Sequence, residues 1–184
     1  MYDKKAHEKA ADNAEQLLRM RAPLLMGRPA GQEVVLNVRC TEITLEALQP
    51  FCKLKLDRLA DVTIGIGAGF SGMGEVCGLI SGTIIAFGLD YAARYRDTAL
   101  LRYFIGKYTQ KFMRDFTKEF GSVRCKDLLG GHDLSGYLKP GTDDAYKKFL
   151  KYAAEKRPCY PFARFCIMYP LPHEEEDLPP DYLC

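Results

Sequence analysis

The chain contains no C-x-x-C pair, and this removes the commonest cysteine signatures. Neither a thioredoxin-type site nor a ribbon-type zinc site is signalled. Without C-x-x-C-H there is also no attachment point for covalent haem. One-sided charge is missing as well. Lys and Arg number 26 against 24 Asp and Glu, a formal net charge of +2. That balance is too mild to argue for nucleic acid or an anionic membrane as partner. The longest apolar stretch, residues 76 to 89, is interrupted by Gly78, Gly82 and Gly88. It is too short for a bilayer and reads as a buried helix. The charged opening residues, 1 to 8, lack the apolar core of a signal peptide. These absences lead us to expect a soluble cytoplasmic protein with no membrane span. No internal repeat and no alternating strand pattern is visible. Only three histidines occur. His7 and His173 fall in polar terminal segments and are expected in solvent, and His132 is expected in a loop. No Ser–His–Asp arrangement is suggested.

What the chain does have is sulfur and enough apolar residues to bury it. Its 184 residues, 47% of them hydrophobic, fit one domain able to bury roughly 70% of its unfolded surface. Disulfides are not needed to make such a core. Seven cysteines occur, at 40, 52, 77, 125, 159, 166 and 184. In a reducing compartment such thiols are expected to be free, metal-bound or redox-active.

The periodicities predict an all-α fold, a compact bundle of about five or six helices with a glycine-rich loop before the central helix. A first helix is expected over residues 3 to 20, broken by Pro23 and Gly27. A second is expected over 37 to 49, capped by Asn37, with Cys40, Ile43, Thr44 and Ala47 on one face. A short third one follows over 51 to 60. The central helix starts near Cys77 and runs to about residue 94. The clearest element covers 97 to 120, where Leu101, Phe104, Ile105, Tyr108, Phe112, Phe116 and Phe120 form one apolar stripe. Asp97 or Thr98 caps its start and Gly121 suits its stop. Another helix is expected over 143 to 156, with Tyr146, Phe149, Leu150 and Ala153 inward and Pro158 ending it. The organisation expected is an N-terminal helix and linker (1–34), a helical domain (35–168) and a proline-rich acidic tail (169–184).

Two readings compete for the glycine run from Gly65 to Gly74. Gly67-Ala68-Gly69-Phe70-Ser71-Gly72 matches G-x-G-x-x-G. A short strand could precede it at residues 60 to 64, and Asp90 lies near where a ribose-binding acid would fall. That makes a nucleotide-dependent oxidoreductase one alternative, although a dinucleotide fold needs several parallel strands and the rest of the chain reads as helix. In the other reading, glycines at Gly69, Gly72, Gly74 and Gly78 let backbone N–H groups approach a cofactor or a charged sulfur. Cys77, beside a helix N-terminus, would gain thiolate character from the dipole. The bland alternative makes the glycines packing residues and Cys77 a small buried hydrophobe.

Four of the cysteines, Cys40, Cys77, Cys125 and Cys159, are widely dispersed and could converge only in the folded chain, each at a helix end. Around them the sequence resembles the redox-active C-GCAxxG-C-C family. The phrases that carry the resemblance are Cys77-Gly78-Leu79-Ile80-Ser81-Gly82 after the glycine loop and Phe120-Gly121-Ser122-Val123-Arg124-Cys125-Lys126-Asp127-Leu128-Leu129-Gly130 after the long helix. Cys40, following Asn37-Val38-Arg39, and Cys159 supply the outer positions. The likeness covers roughly residues 35 to 165. Leu79 stands where the family has alanine after Cys-Gly. Cys52, Cys166 and Cys184 lie outside the pattern. A similar domain occurs in split-Soret cytochromes, which carry an iron–sulfur cluster and dimerise. The resemblance therefore implies a cysteine site of redox or metal character, with Cys40, Cys77, Cys125 and Cys159 as metal ligands of an iron–sulfur cluster. It also implies a redox partner protein, here unidentified, and allows a homodimer. Electron transfer or redox sensing would be its function. A helical interaction module with reduced, structural cysteines stays open beside it.

Overall fold

The structure is a computed structural model that describes residues 2–26, 40–53, 55–94, 97–132, 144, 148, 151–152, 155–156 and 158–171. The fold is all-α. Its elements are α1 (Lys4–Met26), α2 (Cys40–Leu48) with a 3-10 turn (Gln49–Phe51), α3 (Leu59–Thr63), a one-turn segment α4 (Gly67–Phe70), α5 (Gly78–Ala92), α6 (Thr98–Phe120), α7 (Cys125–Leu128) and α8 (Cys159–Met168). Among the described residues there is no strand, only an isolated antiparallel bridge between Val76 and Arg124.

α5 is the central element. It is apolar nearly all round, and Leu79, Ile80, Ala86 and Phe87 are fully buried, as expected of a helix enclosed by others. α2 packs along it, and the reason is visible in two glycines one turn apart. A Cβ on Gly82 would lie 2.7 Å from the Thr41 carbonyl, and one on Gly78 would meet Cys40 and Thr41. α1 lies across α8 and α2, adding Ala11, Ala14 and Leu18 to the same core. α6 begins where expected. The Asp97 side chain accepts hydrogen bonds from the N–H groups of Ala99 and Leu100, and Gly121 closes the helix at φ 82°. Of the predicted stripe, Phe104, Phe112 and Phe116 are fully buried. Phe112 stands edge-on to Phe87 at 5.6 Å, and Phe116 edge-on to Phe165 of α8 at 5.5 Å.

Several expectations need correction. α1 does not stop at Pro23 but continues to Met26, because a proline near a helix end forfeits only one hydrogen bond in the last turns. The short third helix falls at Leu59–Thr63 rather than over 51 to 60. Pro158 is the N-cap of α8, a helix that periodicity over so few residues with an internal Pro161 did not reveal. Pro161 fits there because the first turn of a helix needs no donor at that position. His7 is not in solvent. It is buried, stacked on Phe51 at 3.9 Å, and its Nδ1 pairs with the Asp3 carbonyl. The Asn37 cap, most of the helix expected over 143 to 156, and the tail beyond residue 171 lie outside the described residues.

Candidate cysteine site

The site is assembled by the first residues of helices. α2 and α8 begin at Cys40 and Cys159, Cys77 is the N-cap of α5, and α7 begins at Cys125. The four are thus brought to helix starts on separate elements. At α5 this position leaves backbone N–H groups without helical partners and turns the positive end of the dipole toward the Cys77 sulfur.

A bridge of backbone bonds fixes the two central cysteines. The Cys77 N–H donates to the Val123 carbonyl at 2.9 Å, and the Cys125 N–H donates to the Glu75 carbonyl at 2.6 Å. Val76 and Arg124 sit opposite each other between them. The Arg124 guanidinium also reaches Glu75 at 3.0 Å. This pairing puts the Cys77 and Cys125 side chains in hydrogen-bond contact. The contact holds the Cys77 thiol below its ordinary value despite complete burial, helped by the N–H groups of Leu79 and Ile80, which face the sulfur without making a close cap bond. Cys125 is pushed strongly up, by the same contact with Cys77, by burial, and by the nearby Cys77, Cys40 and Cys159 sulfurs. Their hydrogen bond favours charge on Cys77 over charge on Cys125.

Cys40 is held from the loop side. The Ala68 N–H donates to its sulfur at 3.4 Å. Ala68 does so in a left-handed conformation, φ 54°, within a run of positive φ values that also includes Gly69, Phe70, Ser71, Gly72 and Gly74. The glycines proposed as cofactor-binding have visible backbone uses. A Cβ on Gly69 would lie 2.5 Å from the Glu75 nitrogen, and one on Gly74 2.8 Å from the Lys126 Cβ. Gly72 turns at φ 92°. Gly78 gives the Cys40 sulfur its room, since a Cβ there would stand 2.5 Å away from it.

The dinucleotide arrangement is not present among the described residues. The segment before the glycines is the helix α3, not a strand, and no strand occurs among the described residues. Asp90 is buried and paired with Arg94 at 2.5 Å, so it does not serve as an exposed ribose acceptor. His132 packs against Tyr152 with the rings tilted by 37° and centroids 4.3 Å apart.

One residue outside the four-cysteine pattern lies near it. Cys166 is fully buried on α8, its thiol pushed well up by burial, with the Cys77 and Cys40 sulfurs near it and Thr83 as hydrogen-bond partner. Its place seven residues after Cys159 put both on one helix face, a signal that needed α8 to be recognised first. Cys52 is apart from this group, donating to the Leu48 and Ala86 carbonyls. None of the six described cysteines is joined in a disulfide. No group of three or more His, Cys, Asp or Glu among the described residues is arranged to hold a metal ion. Nor is any described helix long and apolar enough to cross a membrane.

Residues 38–168 match the family described as "Putative redox-active protein (C_GCAxxG_C_C)". No curated protein and no solved structure matches the chain.

Proposed function

This chain belongs to the C_GCAxxG_C_C family, and from that premise we propose that Cys40, Cys77, Cys125 and Cys159 form a redox centre that takes an iron–sulfur cluster for electron transfer or redox sensing. The observation that carries this reading is the backbone bridge that sets Cys77 and Cys125 side by side, with the Cys40 sulfur against Gly78, the residue after Cys77; contact with Cys77, burial and the Cys77, Cys40 and Cys159 sulfurs push the Cys125 thiol up. The donor chemistry suits a cluster. The four groups are all thiols, the ligand type that clusters take, with backbone N–H groups directed at Cys40 and Cys77. A cluster interposes iron and sulfide between its thiolates, so it needs them wider apart than a single ion does. The absence of a single-ion site among the described residues is compatible with that. When bound, the group would supply one-electron chemistry. The chain's own part is to hold four thiolates, exclude water from Cys77 and Cys125, and offer N–H groups to charged sulfur.

The direct contact of Cys77 with Cys125 favours a second reading, a dithiol that cycles to a disulfide. The Cys77 thiolate would attack one sulfur of an acceptor disulfide, breaking its S–S bond, forming a mixed disulfide and releasing one acceptor thiolate. The Cys125 sulfur, giving up its one proton to the departing sulfur, would then displace the second acceptor thiol to close the Cys77–Cys125 bond, so that two electrons pass to the acceptor disulfide.

Purification without oxygen separates the readings. Brown protein with iron and acid-labile sulfide near cluster stoichiometry, lost in Cys77→Ser, supports the first. Unchanged metal content in Cys77→Ser overturns it. Colourless protein that yields a Cys77–Cys125 disulfide on oxidation by a small disulfide supports the second. Colourless protein whose thiols stay reduced makes the domain an interaction module.

A further inference from the structure

Thr41 is completely buried, yet its hydroxyl has no hydrogen-bond partner. Its neighbours show how unusual that is. Thr44, Ser81 and Thr83 each donate to the carbonyl one turn back in their own helix, at 3.1, 3.4 and 3.0 Å. Thr41, at the second residue of α2, makes no such bond. An unpaired buried hydroxyl costs about 1–3 kcal/mol, and such groups call for an explanation.

The position of the hydroxyl supplies one. A single point, the place a Cβ on Gly78 would occupy, lies 2.5 Å from the Cys40 sulfur and 2.7 Å from the Thr41 Oγ1. The orphan oxygen therefore sits on the same side of α5 as the Cys40 sulfur. In the thiol form Cys40 already accepts from the Ala68 N–H and offers little to a second donor. As a thiolate bonded to iron, it carries more charge and can accept again.

We propose that the Thr41 O–H is a hydrogen-bond donor to the ligated Cys40 sulfur, a positioning residue that finds its partner when the site is loaded and raises the potential of the bound group. This rests on the cluster reading above. Partners beyond the metal ligands commonly tune such sites, and hydrogen bonds to sulfur favour the more negative, reduced state.

The test compares wild type, Thr41→Val and Thr41→Ser, each reconstituted with iron and sulfide without oxygen. Three quantities are measured: iron and sulfide per chain, the midpoint potential, and the unfolding temperature of the metal-free protein. Thr41→Val removes the hydroxyl at nearly constant volume. Its metal-free form should unfold at the wild-type temperature or above, because no folded-state bond is lost. Its loaded form should show a more negative potential and release iron to a chelator several-fold faster. Thr41→Ser, which keeps the hydroxyl, should restore both loaded properties. A wild-type potential and release rate in Thr41→Val overturn the proposal. So does a destabilised metal-free Thr41→Val rescued by serine, which would make the hydroxyl a structural group. Wild-type chain that takes up no iron and sulfide overturns the cluster reading itself, and Thr41's role with it.

Discussion

Cys77 and Cys125, nearly fifty residues apart in sequence, touch because one β-bridge locks Val76 against Arg124 just before each of them. The bonds that do this are backbone bonds, so the contact does not depend on which side chains flank it. Loops on either side must then follow: the glycine turn before Cys77 and the Gly121 stop before Cys125 both feed the bridge.

Gly78→Ala should destabilise the protein despite alanine's better helix propensity. The propensity gain is at most about 1 kcal/mol, whereas overpacking costs about 1–3 kcal/mol. The atoms in the way are the Cys40 sulfur at 2.5 Å and the Thr41 hydroxyl at 2.7 Å. Urea unfolding should show a lower midpoint, and a midpoint at or above wild type would mean that α2 has room to shift.

Ala68 gives a test of opposite sign. A left-handed L-residue costs roughly 1–2 kcal/mol, and Ala68 holds φ 54°. Glycine relieves that while giving back about 0.5–1 kcal/mol in chain entropy. Ala68→Gly should therefore be neutral or more stable by up to about 1.5 kcal/mol. Ala68→Pro should be strongly destabilising, since proline cannot reach a positive φ and removes the N–H that serves Cys40. Thermal unfolding of the two variants reads both directions.

Alkaline pH should weaken the fold through Cys52. Its thiol is pushed from 9.0 to about 12, by burial first, then by the Asp90 charge, with Lys55 opposing. Below pH 9 both folded and unfolded chains keep this proton, so its contribution is fully present. As pH rises from 9 toward 12, the unfolded chain releases the proton and the folded one does not, and stability falls. Cys52→Ala should flatten part of that decline in denaturant titrations. An identical slope in the variant would assign the loss elsewhere.

Asp97→Ala should cost about 1 kcal/mol, because the carboxylate serves the N–H groups of Ala99 at 2.8 Å and Leu100 at 2.9 Å. For a chain of this size that lowers the unfolding temperature by about 2–4 °C. No loss of metal or thiol chemistry should accompany it, since α6 reaches the core through Phe112 and Phe116 rather than through the cysteines.

Local chemistry explains what could be read in advance. The stripe from Leu101 to Phe120 has one consistent period and clear signals at both ends, so α6 stood out. α8 did not, because its ten residues contain a proline and follow another. The helix before Gly67 is likewise a tertiary outcome: Val62 and Thr63 suit a strand, yet Thr63 bonds back to the Leu59 carbonyl and across to Glu42. His7 looked soluble by its neighbours and became buried because α1 lies flat on the domain and Phe51 covers its ring.

The order of residues alone determined the helical class, the family, and which four thiols to watch, because periodicity, caps and short phrases are properties of neighbouring positions. Only the folded chain decided that Cys77 meets Cys125, that Cys166 joins them from outside the pattern, and that Thr41 is left without a partner beside Cys40. Those outcomes depend on distances between elements, set by how closely α2, α5 and α8 pack, and no stretch of adjacent residues encodes that spacing.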